Sequence, residues 1–198
     1  KKLIREISDD DLQRLTQIPM IRITRFDSIK AEEHMKELDA KIETVKHAKG
    51  FSIVNYNGYS IVTVKNPWPK ATKSYTYILR EKNGIVPDSL QQNPIINVPI
   101  NKIVVTSTTH IPSLEMLDEE DKLIGFPNLD YISSEKVREL IDAKKIKELG
   151  NNQSLNTEIL IDLQPDVIIG YGIDGNNPTL DNLQKSGLKV MLNGDWNE

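Results

Sequence analysis

The sequence predicts an α/β domain built on a mostly parallel, doubly wound sheet, preceded by a small antiparallel β unit and an N-terminal helical segment. Three observations carry this expectation. From residue 101 onward short apolar runs alternate with apolar residues at helical spacing; between residues 51 and 80 the pattern has period two around an Asn-Gly pair; and before residue 48 it is helical and highly charged. The expected divisions are therefore 1–48, 49–98 and 99–198.

In the first division Ser8 precedes Asp9, Asp10 and Asp11, an N-cap with acidic first-turn residues, and Leu12, Leu15 and Ile18 follow until Pro19 interrupts. A second helix starts at Asp27-Ser28, where Met35, Leu38, Ile42 and Val45 step by three, four and three residues, the a/d rhythm of a coiled-coil seam. That seam calls for a partner helix along residues 28–47; a plain amphipathic surface helix fits the same two heptads.

In the second division Phe51–Tyr56 and Tyr59–Val64 flank Asn57-Gly58, which predicts a hairpin with a type I′ turn. Asn66-Pro67-Trp68-Pro69 breaks the pattern, and 74–80 offers a third strand ending before Asn83-Gly84.

In the third division Ile103-Val104-Val105 is a buried-type strand, Ile111, Leu114 and Leu117 make a helix face, and Leu123–Phe126 is the next strand. Val137, Leu140 and Ile141 make a second helix. Asn156 caps a third, containing Ile159, Leu160 and Leu163, which Gln164-Pro165-Asp166 stops before the strand Val167-Ile168-Ile169. Pro178 opens a fourth helix, Gly187 closes it, and Lys189–Leu192 is the last strand.

Bulk properties narrow the function. The chain has 198 residues, 38% apolar and 27% charged, with a formal charge of -4. No broad basic field exists, so nucleic acid is not a favoured partner and small-molecule or protein ligands fit better. Without cysteine there is no disulfide, thiolate metal site or cysteine nucleophile. No apolar stretch is long enough to span a membrane, and Lys1-Lys2-Leu3-Ile4-Arg5 lacks the apolar run of a signal peptide. The absence of an initial Met, and the stop at Asp195-Trp196-Asn197-Glu198 just after a strand, read as a fragment.

Ligands of parallel sheets sit beyond the carboxyl ends of the strands. Those ends carry Thr106-Ser107-Thr108-Thr109-His110, Pro127-Asn128-Leu129-Asp130-Tyr131, Tyr171-Gly172-Ile173-Asp174 and Asn193-Gly194-Asp195-Trp196. The hydroxyls of the first loop could receive an oxyanion or simply cap a helix. His110 could face a ligand or serve as a core histidine. Tyr131, Tyr171 and Trp196 suit a broad planar ligand or ordinary packing. Gly170-Tyr171-Gly172-Ile173-Asp174-Gly175 matches G-x-G-x-x-G, with Asp195 twenty residues beyond Gly175, which keeps a dinucleotide-binding oxidoreductase as an alternative. Against it, Asn176, Asn177 and Pro178 follow the third glycine, which should already lie in the helix.

Ile103–His110, Asn151–Asn156 followed by Glu158, Leu163–Ile168 and Gly187–Val190 occur in an order that resembles the ABC-transporter periplasmic substrate-binding proteins for iron-siderophores, haem and vitamin B12. Residues 49–98 resemble the β-rich extension of some members. The resemblance implies the first lobe of a two-lobed, non-enzymatic receptor, stopping before the inter-lobe helix. It further implies an extracytoplasmic site, periplasmic or lipid-anchored, an ABC permease as partner, and a ferric chelate, haem or corrinoid as ligand rather than a resident cofactor or metal. Its candidate ligand-binding residues are Ser107, Thr108, Thr109, His110, Asn128, Tyr131, Gln153, Ser154, Tyr171, Gly172, Asp195 and Trp196. Separately, Ile7–Asp11, Leu15, Arg22–Asp27 and Ile42–His47 resemble the coiled-coil arm of the bacterial type IIA topoisomerase A subunit, a structural segment without cleavage chemistry. That juxtaposition implies a chimera joined near His47 to Lys49.

Overall fold

A computed structural model describes residues 50–198 other than 66, 69–70, 153, 172–177 and 194–198. The expected helical segment, its heptad seam and its partner helix lie outside the described residues. The chain divides into two compact units, Lys1–Ile42 and Glu43–Glu198, and every described residue belongs to the second.

Alternating apolar residues produce β1 (Phe51–Tyr56) and β2 (Tyr59–Lys65), paired antiparallel with Tyr56 opposite Tyr59. The rings of those two tyrosines stack with centroids 4.7 Å apart. The hairpin falls where Asn57-Gly58 places it, but the turn type differs from the expected one. Gly58 has φ +84°, whereas Asn57 does not enter the left-handed region, and a type I′ turn needs both. β3 (Ser74–Arg80) continues the antiparallel order, and β4 (Ile95–Asn97) joins β3 in parallel. The unit is thus antiparallel over three strands only, because residues 81–94 form a crossover long enough for a parallel return.

The second sheet has the order β11-β10-β5-β6-β7 with every neighbouring pair parallel. Its strands are β5 (Ile103–Val105), β6 (Leu123–Phe126), β7 (Lys147–Glu148), β10 (Val167–Tyr171) and β11 (Val190–Asn193). Between β7 and β10 lies a small hairpin of β8 (Gly150–Asn151) and β9 (Ser154–Leu155). The connecting helices are α1 (Ile111–Met116), α2 (Glu135–Asp142), α3 (Thr157–Leu163) and α4 (Pro178–Lys185). Their ends follow local chemistry. Ser134 accepts the Val137 N–H, Asn156 accepts the Ile159 N–H, Gln164 takes φ +48° after α3, and Gly187 takes φ +88° after α4. Leu117 departs from its expected place on a helix face. α1 ends at Met116, Asp118 turns the chain at φ +53°, and Leu117 is left 71% exposed.

Period two sorts the sheet's side chains onto two faces. Ile103, Val105 and Val167 join Ile111 and Val137 in one core, while Val104 and Ile168 join Leu160, Leu180 and Leu183 in another. α1 and α2 therefore cover one face, and α3 and α4 the other, a doubly wound arrangement. The first face would remain bare over β10 and β11, where Ile169 and Met191 point. The β-rich sheet fills that space: Val62, Val64, Tyr77 and Ile96 belong to the same core as Ile103 and Val105. The two sheets thus share their interior.

β11 is an edge strand, so the groups it turns away from β10 need other partners. The Leu192 N–H donates to the hydroxyl of Tyr77 at 2.9 Å, and the Val190 carbonyl accepts from Gln184 Nε2 at 3.3 Å. Tyr77 is 1% exposed, and burial pushes its hydroxyl up to about 12 from 10, although the Leu192 N–H acts in the opposite direction. Beside it, burial and then the negative charge of Asp181 raise the Tyr75 hydroxyl.

Tyr77→Phe keeps the ring but leaves the buried Leu192 N–H without its acceptor, so urea unfolding should register a loss of about 1–3 kcal/mol. The unfolded chain releases the Tyr77 proton near pH 10 and the folded chain only near 12. The stability held by the neutral hydroxyl is complete below pH 10 and declines as pH rises through 12. That part of the alkaline decline should be absent from Tyr77→Phe.

Candidate functional site

The chain leaves β5 toward β6 and β7 on one side, then returns past it to β10 and β11 on the other. Loops after β5 and β10 therefore diverge, and a crevice must open between them. At its floor the two strand ends are tied together: the Thr106 N–H donates to the Ile169 carbonyl at 3.1 Å, and the Tyr171 N–H donates to Thr106 Oγ1 at 3.0 Å. Above this tie lies a cleft of about 270 Å³. Thr106, Ser107 and Thr108 form one wall, Phe126, Pro127 and Tyr131 the opposite one, and Asn152 and Tyr171 complete it.

Of the residues expected here, Ser107, Thr108, Tyr131 and Tyr171 come together in the cleft. The Ser107 hydroxyl accepts from the Thr109 N–H at 3.3 Å and lies 2.7 Å from Thr109 Oγ1, so it caps the turn as well as facing the cleft. Thr109 is outside the lining. His110 is buried, with Nε2 3.2 Å from the Asn193 amide nitrogen, and it holds the first loop against the end of β11. Asn128 acts through its backbone, at φ +54°. Ser154 sits on β9, where its N–H donates to Asn151 Oδ1 at 2.9 Å. Gln153, Gly172, Asp195 and Trp196 lie outside the described residues.

Four lining residues were absent from the expected set: Thr106, Phe126, Pro127 and Asn152. The first three are the last or next residues of their strands, a position that itself signals a rim. Asn152 directly follows β8, a two-residue strand too short to read from sequence.

The wall bearing Tyr131 is held from below by a carboxylate. Glu148 Oε1 accepts the N–H groups of Asn128 and Gly150, each at 2.9 Å, and Oε2 accepts that of Leu129 at 3.0 Å. Arg138 Nη1 donates to the Leu129 carbonyl at 3.1 Å. The chain thus pins a loop whose backbone groups have no ladder to join. Tyr131 itself is 72% exposed, a ring presented to the cleft mouth.

The first glycine of the motif, Gly170, has a packing role. A Cβ on Gly170 would lie 2.6 Å from Leu180 Cδ1, so this glycine lets α4 approach β10. α4 is described from Pro178, and Gly172 and Gly175 of the motif lie outside the described residues. Among the described residues no cluster of three His, Cys, Asp or Glu side chains could hold a metal.

Residues 103–198 match the family model described as periplasmic binding protein. The matched segment, just under half of the chain, is similar to that family. Members of that family bind solutes and are not enzymes. An uncharacterised lipoprotein of Methanocaldococcus jannaschii is 25% identical over 67% of this chain, a share too large to lie within the lobe alone. The chain spans 36% of that relative's length. Among solved structures, a possible iron-binding (periplasmic solute-binding) protein from Staphylococcus epidermidis is 23% identical, covering 46% of this chain and 34% of that one, at a TM-score of 0.39. CeuE of Helicobacter pylori, in a nickel–histidine complex, is 26% identical, covering 48% and 32% of the two chains, at a TM-score of 0.38.

Glu148→Ala removes both oxygens that accept the N–H groups of Asn128, Leu129 and Gly150. Amide hydrogen exchange at Leu129 and Gly150 should accelerate about tenfold or more, and less at Asn128, whose N–H also donates to the Gly150 carbonyl at 2.8 Å, while the β10 amides keep their protection.

Proposed function

We propose that this lobe captures a metal chelate or corrinoid-like solute for an ABC importer, on the outer side of the membrane, and passes it to a permease. The carrying observation is the cleft at the sheet's switch point, where hydroxyls, an amide and aromatic rings converge on a floor locked by Thr106 and Tyr171. Such a lining recognises a broad, polar-edged ligand through short-range donors and ring faces, with no bond made or broken. The match of residues 103–198 to the periplasmic binding protein family supports the reading, and the lipoprotein relative supports an extracytoplasmic location. The metal-chelate class rests on the order of motifs along the lobe.

In a two-lobed receptor this cleft forms one wall of the site, and closure of the second lobe would exclude water and strengthen each polar contact. The exposed ring of Tyr131 is then the natural contact for a planar ligand.

Calorimetric titration of the natural full-length protein with ferric chelates, haem and cobalamin tests the assignment; heat from one of them is expected, and silence from all removes it. For the ligand that binds, Tyr131→Ala should weaken affinity about tenfold, and Ser154→Ala, outside the cleft, should leave it unchanged.

A further inference from the structure

The 3-10 turn Leu129–Tyr131 carries an exposed ring to the cleft, yet it has no side-chain cap of its own. Asn128, the residue that opens it, sits at φ +54° and makes no side-chain bond to the turn. The leading N–H groups of such a turn need an acceptor from elsewhere. Glu148 supplies it from the end of a neighbouring strand. β7 sets Glu148 opposite Phe126, and from there Oε1 and Oε2 accept the Asn128 and Leu129 N–H groups. The cap of this turn therefore comes from a residue 20 positions along the chain.

The same carboxylate holds a second part of the lining. Oε1 also accepts the Gly150 N–H, and the Gly150 carbonyl accepts from the Asn128 N–H at 2.8 Å. Asn152, two residues beyond Gly150, lines the cleft together with Tyr131. One side chain thus fixes the Tyr131 segment against the Asn152 segment, while Glu148 itself is outside the lining. On the other flank Arg138 of α2 donates to the Leu129 carbonyl, so charged side chains engage both the N–H and the carbonyl of Leu129. A tyrosine that is 72% exposed has little packing to hold it, and its place depends on the backbone beneath it. A wall whose backbone is already fixed spares a ligand the entropy of ordering it.

We infer that Glu148 is a positioning residue for the solute: without touching it, the carboxylate presets the wall that bears Tyr131, and affinity depends on Glu148 through that ring. The inference rests on the solute-capture reading of the same cleft and adds to it a residue outside the lining.

The test is a double-mutant cycle on the natural full-length protein, with Kd measured by calorimetry. The probes are a ferric trihydroxamate, haem and cyanocobalamin. For a probe that binds, Glu148→Ala is expected to weaken affinity about tenfold. In the Tyr131→Ala background the same change should cost less than about threefold, because the ring that Glu148 positions is gone. Glu148→Gln, nearly isosteric and with one acceptor oxygen left, should fall between the two, and it carries the same cycle should the alanine variant not fold. Retained protection of the β10 amides identifies a variant whose sheet is intact. Unchanged affinity in the Glu148 variants overturns the inference, and so does an equal loss in both backgrounds; either result leaves solute capture standing. Silence of all three probes with the unaltered protein overturns the capture reading itself.

Discussion

Each crossover in a parallel sheet lays its helix on one face, and this constraint organises the rest of the molecule. With two helices on each face, the part of one face over β10 and β11 is left without helical cover. Ile169 and Met191 would face water there. The N-terminal β sheet resolves this by packing its own apolar side into the vacancy, and Tyr77 reaches beyond it to satisfy the edge of β11. The β-rich unit is therefore part of the lobe's interior. Its loss would expose apolar surface and an unpaired strand edge together.

Much of this was legible in the sequence because the signals are local. β5 and the first three residues of β10 read as uninterrupted β-branched runs, and Asn156, Pro178 and Gly187 punctuate the helices through hydrogen bonds or backbone angles set within a few residues. What escaped was set by contacts far apart in sequence. The two-residue strands β7 and β8 are too short to carry a period, and β4 is recognisable only from its pairing with β3. Leu117 has the spacing of a core residue, yet α1 is too short to bury it.

The site was readable to the same degree. A parallel sheet dictates that its carboxyl ends bear the ligand loops, so Ser107, Thr108, Tyr131 and Tyr171 could be anticipated from position alone. Position could not tell which side chains turn toward the crevice. His110 turns inward to Asn193, Ser154 takes part in the β8–β9 hairpin through its backbone N–H, and Thr106 is half floor and half clamp. Those directions depend on 3-10 turns and on Glu148, whose reach across twenty residues to the Asn128 N–H has no signature in the chain.

The tie between Thr106 and Tyr171 closes the bottom of the cleft with groups that belong to the scaffold. A loop exchanged at Pro127–Tyr131 or near Asn152 would remodel a wall without disturbing that floor. Lineages descending from one such lobe could then diversify their diet by swapping surface segments, each trial inheriting a foundation that already folds.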